Sequence, residues 1–100
     1  MLYECKGTVE LIDRSRNWSA VDMEVKDLLD EPTVEIETIE RINTNFVPMI
    51  DNEFYEESEA YVDEEEMKNR AYISFVNMLN AEANKQGYEL HDYEIEVQEF

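Results

Sequence analysis

Residues 3 to 11 set Tyr3, Cys5, Gly7, Val9 and Leu11 at every second position, with Glu4, Lys6, Thr8 and Glu10 between them. Successive side chains of a strand point to opposite faces, so this alternation predicts a strand with one face on a core and the other in water. A chain that begins this way needs a partner strand and a layer to close its apolar face. The rest of the sequence supplies both.

The stretch Asp13 to Asn17 (DRSRN) carries turn residues, after which Val21, Met23 and Val25 alternate with Asp22, Glu24 and Lys26 as a hairpin partner would. Ser19 with Asp22 also resembles a capping box, and Val21, Val25, Leu28 and Leu29 fit helical spacing, so strand and helix both remain open for residues 18–30. Beyond Pro32, Val34 and Ile36 alternate with Glu35 and Glu37 until the phase slips at Ile39, as a bulge or a strand end would produce, which predicts a third strand. Residues 43–54 hold Pro48, three Asn and no sustained period. They are expected to form a loop whose Phe46, Val47, Met49 and Ile50 tuck against the core.

Asp63 followed by Glu64, Glu65 and Glu66 marks a helix start, because a capping carboxylate and acids in the first turn meet the unpaired N–H groups there. Met67, Ala71, Phe75, Met78 and Leu79, widened by Tyr72, Val76 and Ala83, form the apolar arc of that helix. Glu82 falls inside this arc, near enough to the helix end for its head to reach water. Gly87 suits the left-handed position past a helix end. Tyr88 then opens a last strand with Tyr93, Ile95 and Val97 inward and Asp92, Glu94 and Glu96 outward. The order strand, strand, strand, long helix, strand predicts a single α+β domain over 1–100: an antiparallel sheet of about four strands packed against one long helix.

Charge narrows the function. Eight basic residues stand against 26 acidic ones, a net charge of −18. Self-repulsion of that size weakens the folded state and nothing in folding requires it. Direct nucleic-acid binding needs clusters of Lys and Arg, and an anionic membrane surface repels such a chain. A hydrophobic share of 43% separates it from a disordered acidic tail. No apolar run is long enough for a membrane span and the N-terminal residues lack a signal-peptide pattern, so a cytoplasmic protein is expected.

Catalytic patterns are missing. His91 has no Cys or second His at zinc-ligand spacing, and two glycines in the whole chain cannot build a phosphate-binding loop. Cys5 has no partner for a disulfide and belongs to the buried set of the first strand. The run from Asp51 to Glu66 (DNEFYEESEAYVDEEE) places nine carboxylates in sixteen positions, but it lacks the glycine and ligand spacing of an EF-hand. No enzyme, metal or cofactor is expected.

The same run contains no base; between residues 42 and 67 nine acids and no Lys or Arg account for half the net charge. Asp63 to Glu66 are explained by the helix start, whereas Asp51, Glu53, Glu56, Glu57 and Glu59 have no such local explanation. Phe54 and Tyr55 among them are candidate anchors for a protein interface. Glu35 with Glu37, and Glu94 with Glu96, add outward acids two residues apart, about 6–7 Å along a strand. Neighbouring phosphates of a nucleic-acid strand are about 7 Å apart, so such rows can enter Arg and Lys pockets built for phosphates.

In size, charge and its acidic-aromatic run EFYEESEAYVDEEE, the chain resembles phage-encoded DNA-mimic inhibitors of the anti-CRISPR, antirestriction and uracil-DNA glycosylase inhibitor type. That resemblance implies a monomeric or homodimeric inhibitor that blocks the nucleic-acid site of a basic host enzyme, a CRISPR effector nuclease first among them. The alternative is an acidic protein-binding or scaffold component of a phage or bacterial assembly that leaves DNA binding untouched.

Overall fold

The computed structural model describes the main chain of residues 1–48 and 54–100, and the side chains of 1–43 and 59–100. Strand β1 (Leu2–Asp13) lies at the centre of an antiparallel sheet. One edge pairs along almost its whole length with β6 (Tyr88–Glu99), from Tyr3 opposite Glu99 to Asp13 opposite Tyr88. The other edge is shared: β2 (Ser19–Glu24) pairs with Thr8 to Asp13, and β3 (Thr33–Glu35) with Leu2 to Glu4. Helix α2 (Glu64–Lys85) closes one face of this sheet, so the α+β architecture of four antiparallel strands and one long helix stands as expected.

The alternation of residues 3–11 is realised in full. Tyr3, Cys5, Val9 and Leu11 are buried, and Met67, Ala71, Phe75, Leu79 and Ala83 of α2 descend onto them with no exposed surface. Burial of this kind is worth about 1.5–3 kcal/mol per large apolar side chain. Val97, half-buried Ile95 and Leu90 complete the layer from β6. Asp63 caps α2 by accepting the N–H of Glu66, and Gly87 ends it at a φ of +86°.

The ambiguous segment 18–30 uses both of its options in turn. β2 runs to Glu24, and Val25–Leu28 then form one helical turn, α1, which buries Val25 and Leu28. The suggested capping box is not used, since the Ser19 hydroxyl donates backwards to the carbonyl of Arg16. The turn before β2 is one turn of 3-10 helix (Arg14–Arg16) followed by two left-handed residues, Asn17 and Trp18. Asp13 ties it down, accepting the N–H and hydroxyl of Ser15 at 2.9 and 2.7 Å. These bonds, the hydroxyl's foremost, hold its carboxyl below the ordinary range.

The expected loop at 43–54 is corrected at 43–48 and at Phe54, its residues 49–53 lying outside the described ones. Glu40–Pro48 form strand β4, which pairs antiparallel with β5 (Phe54–Val62) over nine residue pairs, from Glu40 opposite Val62 to Pro48 opposite Phe54. Among the described residues this two-stranded ladder joins no other strand, and it forms an arm extending from the body. The radius of gyration is 21.1 Å and the principal extents 77 × 21 × 17 Å, against roughly 13 Å for a compact chain of this length. Alternation in sequence records burial of one strand face. A ladder that leaves the core has no face to bury and therefore no period to read. The expected packing of Phe46 and Val47 on the core concerns side chains outside the described residues, as do Met49 and Ile50 altogether.

Gly7 is required by a close approach. At a φ of +139°, an added Cβ would run into the carbonyl oxygen of Glu94 and come within 2.8 Å of the Ile95 Cα. Gly87 has nothing within 4 Å of the same position. Gly7→Ala is therefore expected to cost about 3 kcal/mol or more, because backbone must shift. Gly87→Ala should cost only about 1 kcal/mol, the strain of its left-handed φ. Chemical denaturation of the two variants checks the difference.

Candidate protein-binding surfaces

Because α2 covers the odd-numbered face of β1, the even-numbered face is left open. The register fixes what stands there. Glu10 of β1 is directly opposite Asp22 of β2 on one side and Asp92 of β6 on the other, a row of three carboxylates across three strands. In the next row Thr8 separates Glu24 from Glu94, and beyond it Lys6 is opposite Glu96. Directly opposed side chains are about 5 Å apart at their Cβ atoms and rows about 6–7 Å apart along the strands. The result is a two-dimensional lattice of carboxylates in which like charges are immediate neighbours, an arrangement that destabilises a sheet.

Basic residues relieve little of it. Lys6 reaches Glu4 at 3.3 Å and Lys26 reaches Glu24 at 3.0 Å. His91 marks the β-bulge at which β6 changes register between Glu10 and Leu11; it is exposed, with its Nε2 3.9 Å from Glu10. Glu82 is half-buried, accepting the Gln86 side-chain amide at 3.0 Å.

Of the acids singled out in the sequence, Glu94 and Glu96 belong to the open lattice, joined by Glu10, Asp22 and Asp92. Glu35 stands opposite Leu2 at the far end of the sheet, and Glu37 follows it beyond β3; together they border a cleft with Arg70, Ile73 and Ser74. The arm carries the others: Glu59 is exposed opposite Asn43, while Phe54, Tyr55, Glu56 and Glu57 take register positions opposite Pro48, Val47, Phe46 and Asn45. Asp51 and Glu53 lie outside the described residues. The sequence thus named two surfaces as one, an acidic arm and an acidic sheet face. The position of Glu10 between two aspartates could not be found without the register.

Arg41 fixes the base of the arm. Its guanidinium donates to Asp63 at 3.3 Å and to Glu66, and Glu66 also accepts from Arg70 at 3.0 Å. The N–H of Asp63 donates to the carbonyl of Ile39 beside this cluster. Hydrogen bonding from Arg41, then from Arg70, holds the Glu66 carboxyl below its ordinary range. Ile42, Tyr61 and Val62, just above the clamp, are exposed apolar residues, Ile42 at 72%.

Cys5 is 2% exposed, and burial pushes its thiol up to about 11, so it is an inert core side chain. Among the described residues no group of three or more His, Cys, Asp or Glu is placed to hold a metal ion. No helix among them is long and apolar enough to cross a membrane. Comparison with known proteins gives no match to any family model, curated protein or solved structure.

Two outcomes follow from these charges. Salt screens the repulsion of the lattice, so the thermal midpoint should rise by several degrees between low salt and about 0.5 M NaCl. A fall would mean that attractive pairs outweigh the like-charge neighbours. For Glu66, a folded-state carboxyl below its unfolded value contributes stability that is present above the unfolded value and lost as pH falls through the folded one. The difference in thermal midpoint between the wild type and Glu66→Gln should be largest near neutrality and shrink as pH drops below about 4.

Proposed function

We propose that the protein is a stoichiometric inhibitor that offers carboxylates in place of phosphates to the nucleic-acid-binding groove of a basic protein. A CRISPR effector nuclease is the target this reading puts first. The observation that carries the proposal is the Asp22–Glu10–Asp92 row with Glu24, Glu94 and Glu96 beside it. A sheet face that needed only to be soluble would mix Thr, Lys and Glu and avoid acids directly opposite one another. Here the fold tolerates the repulsion, and a surface lattice of about 5 by 7 Å suits basic pockets spaced for a phosphate backbone. The net charge of −18 adds long-range steering toward a positive groove.

The arm favours a second reading. A two-stranded ladder with exposed Ile42, Tyr61 and Val62 at its base has the form of an element that inserts into an assembly. In that case the protein is an acidic binding or scaffold component, and its partner continues to bind DNA.

Capture of partners from host lysate on the immobilised protein, with duplex DNA as competitor, separates the two. The inhibitor reading expects a nucleic-acid-binding protein displaced by DNA, and expects Glu94→Lys with Glu96→Lys to weaken capture at least about tenfold, as loss of desolvated charge pairs does. Charge reversal of Glu56, Glu57 and Glu59 tests the arm in the same assay. A partner indifferent to DNA, lost only on changing Ile42 and Tyr61, would replace inhibition with assembly.

A further inference from the structure

Strand β6 pairs with β1 on one edge and, among the described residues, with nothing on the other. Which of its backbone groups are left over follows from the register. The N–H of Phe100 donates to the carbonyl of Leu2, which makes that pair a hydrogen-bonded one. In an antiparallel ladder such pairs alternate with non-bonded ones, so Gln98, Glu96 and Glu94 turn their N–H and C=O groups toward β1. Val97, Ile95 and Tyr93 turn theirs away from the sheet. On the opposite edge of β1 the N–H of Cys5 likewise points away from β6, donating to Pro32. The free edge of β6 is therefore a row of backbone donors and acceptors at Tyr93, Ile95 and Val97.

A groove of about 670 Å³ runs beside this edge, between β6 and α2. Tyr72, Ile95 and Val97 supply its apolar lining and Asn69 a polar one, while Asp63, Glu65, Glu66 and Glu96 with one base, Lys68, make the rest of its lining acidic. The Tyr72 ring is held against Tyr93, with centroids 6.4 Å apart and planes at 57°. A strand added to β6 would point alternate side chains into this groove. The intervening ones would stand on the open sheet face beside Glu94 and Glu96.

We propose that the β6 edge and the α2 groove form a docking site for an extended peptide segment of a partner protein, one that alternates apolar with Lys or Arg residues and adds to the sheet as a further strand. Backbone hydrogen bonds to Tyr93, Ile95 and Val97 hold the segment, apolar side chains fill the groove over Tyr72 and Ile95, and basic side chains pair with Glu94 and Glu96. The charge of β6 selects the occupant. A second copy of this chain would set acids opposite acids along the new ladder, whereas a basic strand turns each of those contacts favourable. This site does not depend on the inhibitor reading, because it recognises a strand rather than a phosphate-binding groove.

The probe is a short capped peptide alternating Lys and Val, compared with a peptide of the same composition in which the Lys and Val residues form two blocks. Binding is followed by titration and by backbone amide exchange on the intact protein. The alternating peptide should bind at least about tenfold tighter than the block peptide, as strand addition with a side-chain pattern demands. It should slow exchange at Tyr93, Ile95 and Val97 while leaving Glu94 and Glu96, already bonded to β1, unchanged. Ile95→Pro removes an outward N–H without touching the β1 ladder and should weaken binding to the level of the block peptide. Equal binding of the two peptides, or unchanged exchange at the three amides of the wild type, overturns the proposal. Slow exchange at those amides in the free protein, with concentration-dependent dimers, also overturns it and assigns the edge to a second copy.

Discussion

Everything in the body of this protein depends on β1 being paired on both edges while only one of its faces is covered. The double pairing makes it the strand from which β2, β3 and β6 take their registers. The one long helix among the described residues, α2, closes the odd-numbered face with Met67, Ala71, Phe75, Leu79 and Ala83, and none of them forms a second for the other. An open sheet face must be polar, and any solvated residues would satisfy that requirement. This chain sets a row of three directly opposed carboxylates across it, with Glu24, Glu94 and Glu96 alongside, a choice the fold does not demand and even resists.

That cost connects the architecture to the proposed activity. Repulsion among Asp22, Glu10 and Asp92 is confined to one side of the sheet, away from the apolar layer that holds the molecule together. On the proposed reading, a basic partner would relieve this destabilisation on binding, so that part of the binding energy would be stored in the free protein. The Arg41 cluster acts in the opposite sense, gathering Asp63, Glu66 and Arg70 where the arm leaves the body. Bases are used to fix the arm at its root and are nearly absent from the open face, where Lys6 stands at the lattice edge.

The body was legible in the sequence because burial writes a period. Alternation in 3–11 and the helical spacing of 67–83 named most of the buried side chains, as alternation in 92–97 named Ile95 and Val97, whereas Tyr72 and Tyr93, expected inward, are exposed where α2 meets the unpaired edge of β6. The strand-or-helix ambiguity at 18–30 reflected a segment that is both, β2 up to Glu24 and α1 from Val25. The arm was missed because β4 and β5, among the described residues, pair only with each other, outside the sheet whose burial writes a period, and because Pro48 and several Asn read as loop residues. The candidate site was half legible: outward acids were identified strand by strand. Which of them are neighbours depends on long-range register, to which Glu10 owes its place between two aspartates and β6 its unpaired edge.

The central claim is that the carboxylate lattice stands in for a phosphate backbone. Its most direct test is the salt dependence of the association constant with the partner recovered from lysate, measured beside that partner's own affinity for duplex DNA. The account predicts a steep fall of affinity with rising NaCl, comparable to that for DNA, and a shallower one when Asp22, Glu94 and Glu96 are replaced by their amides. An affinity that does not change with salt, or a slope unaltered by those three replacements, would contradict it.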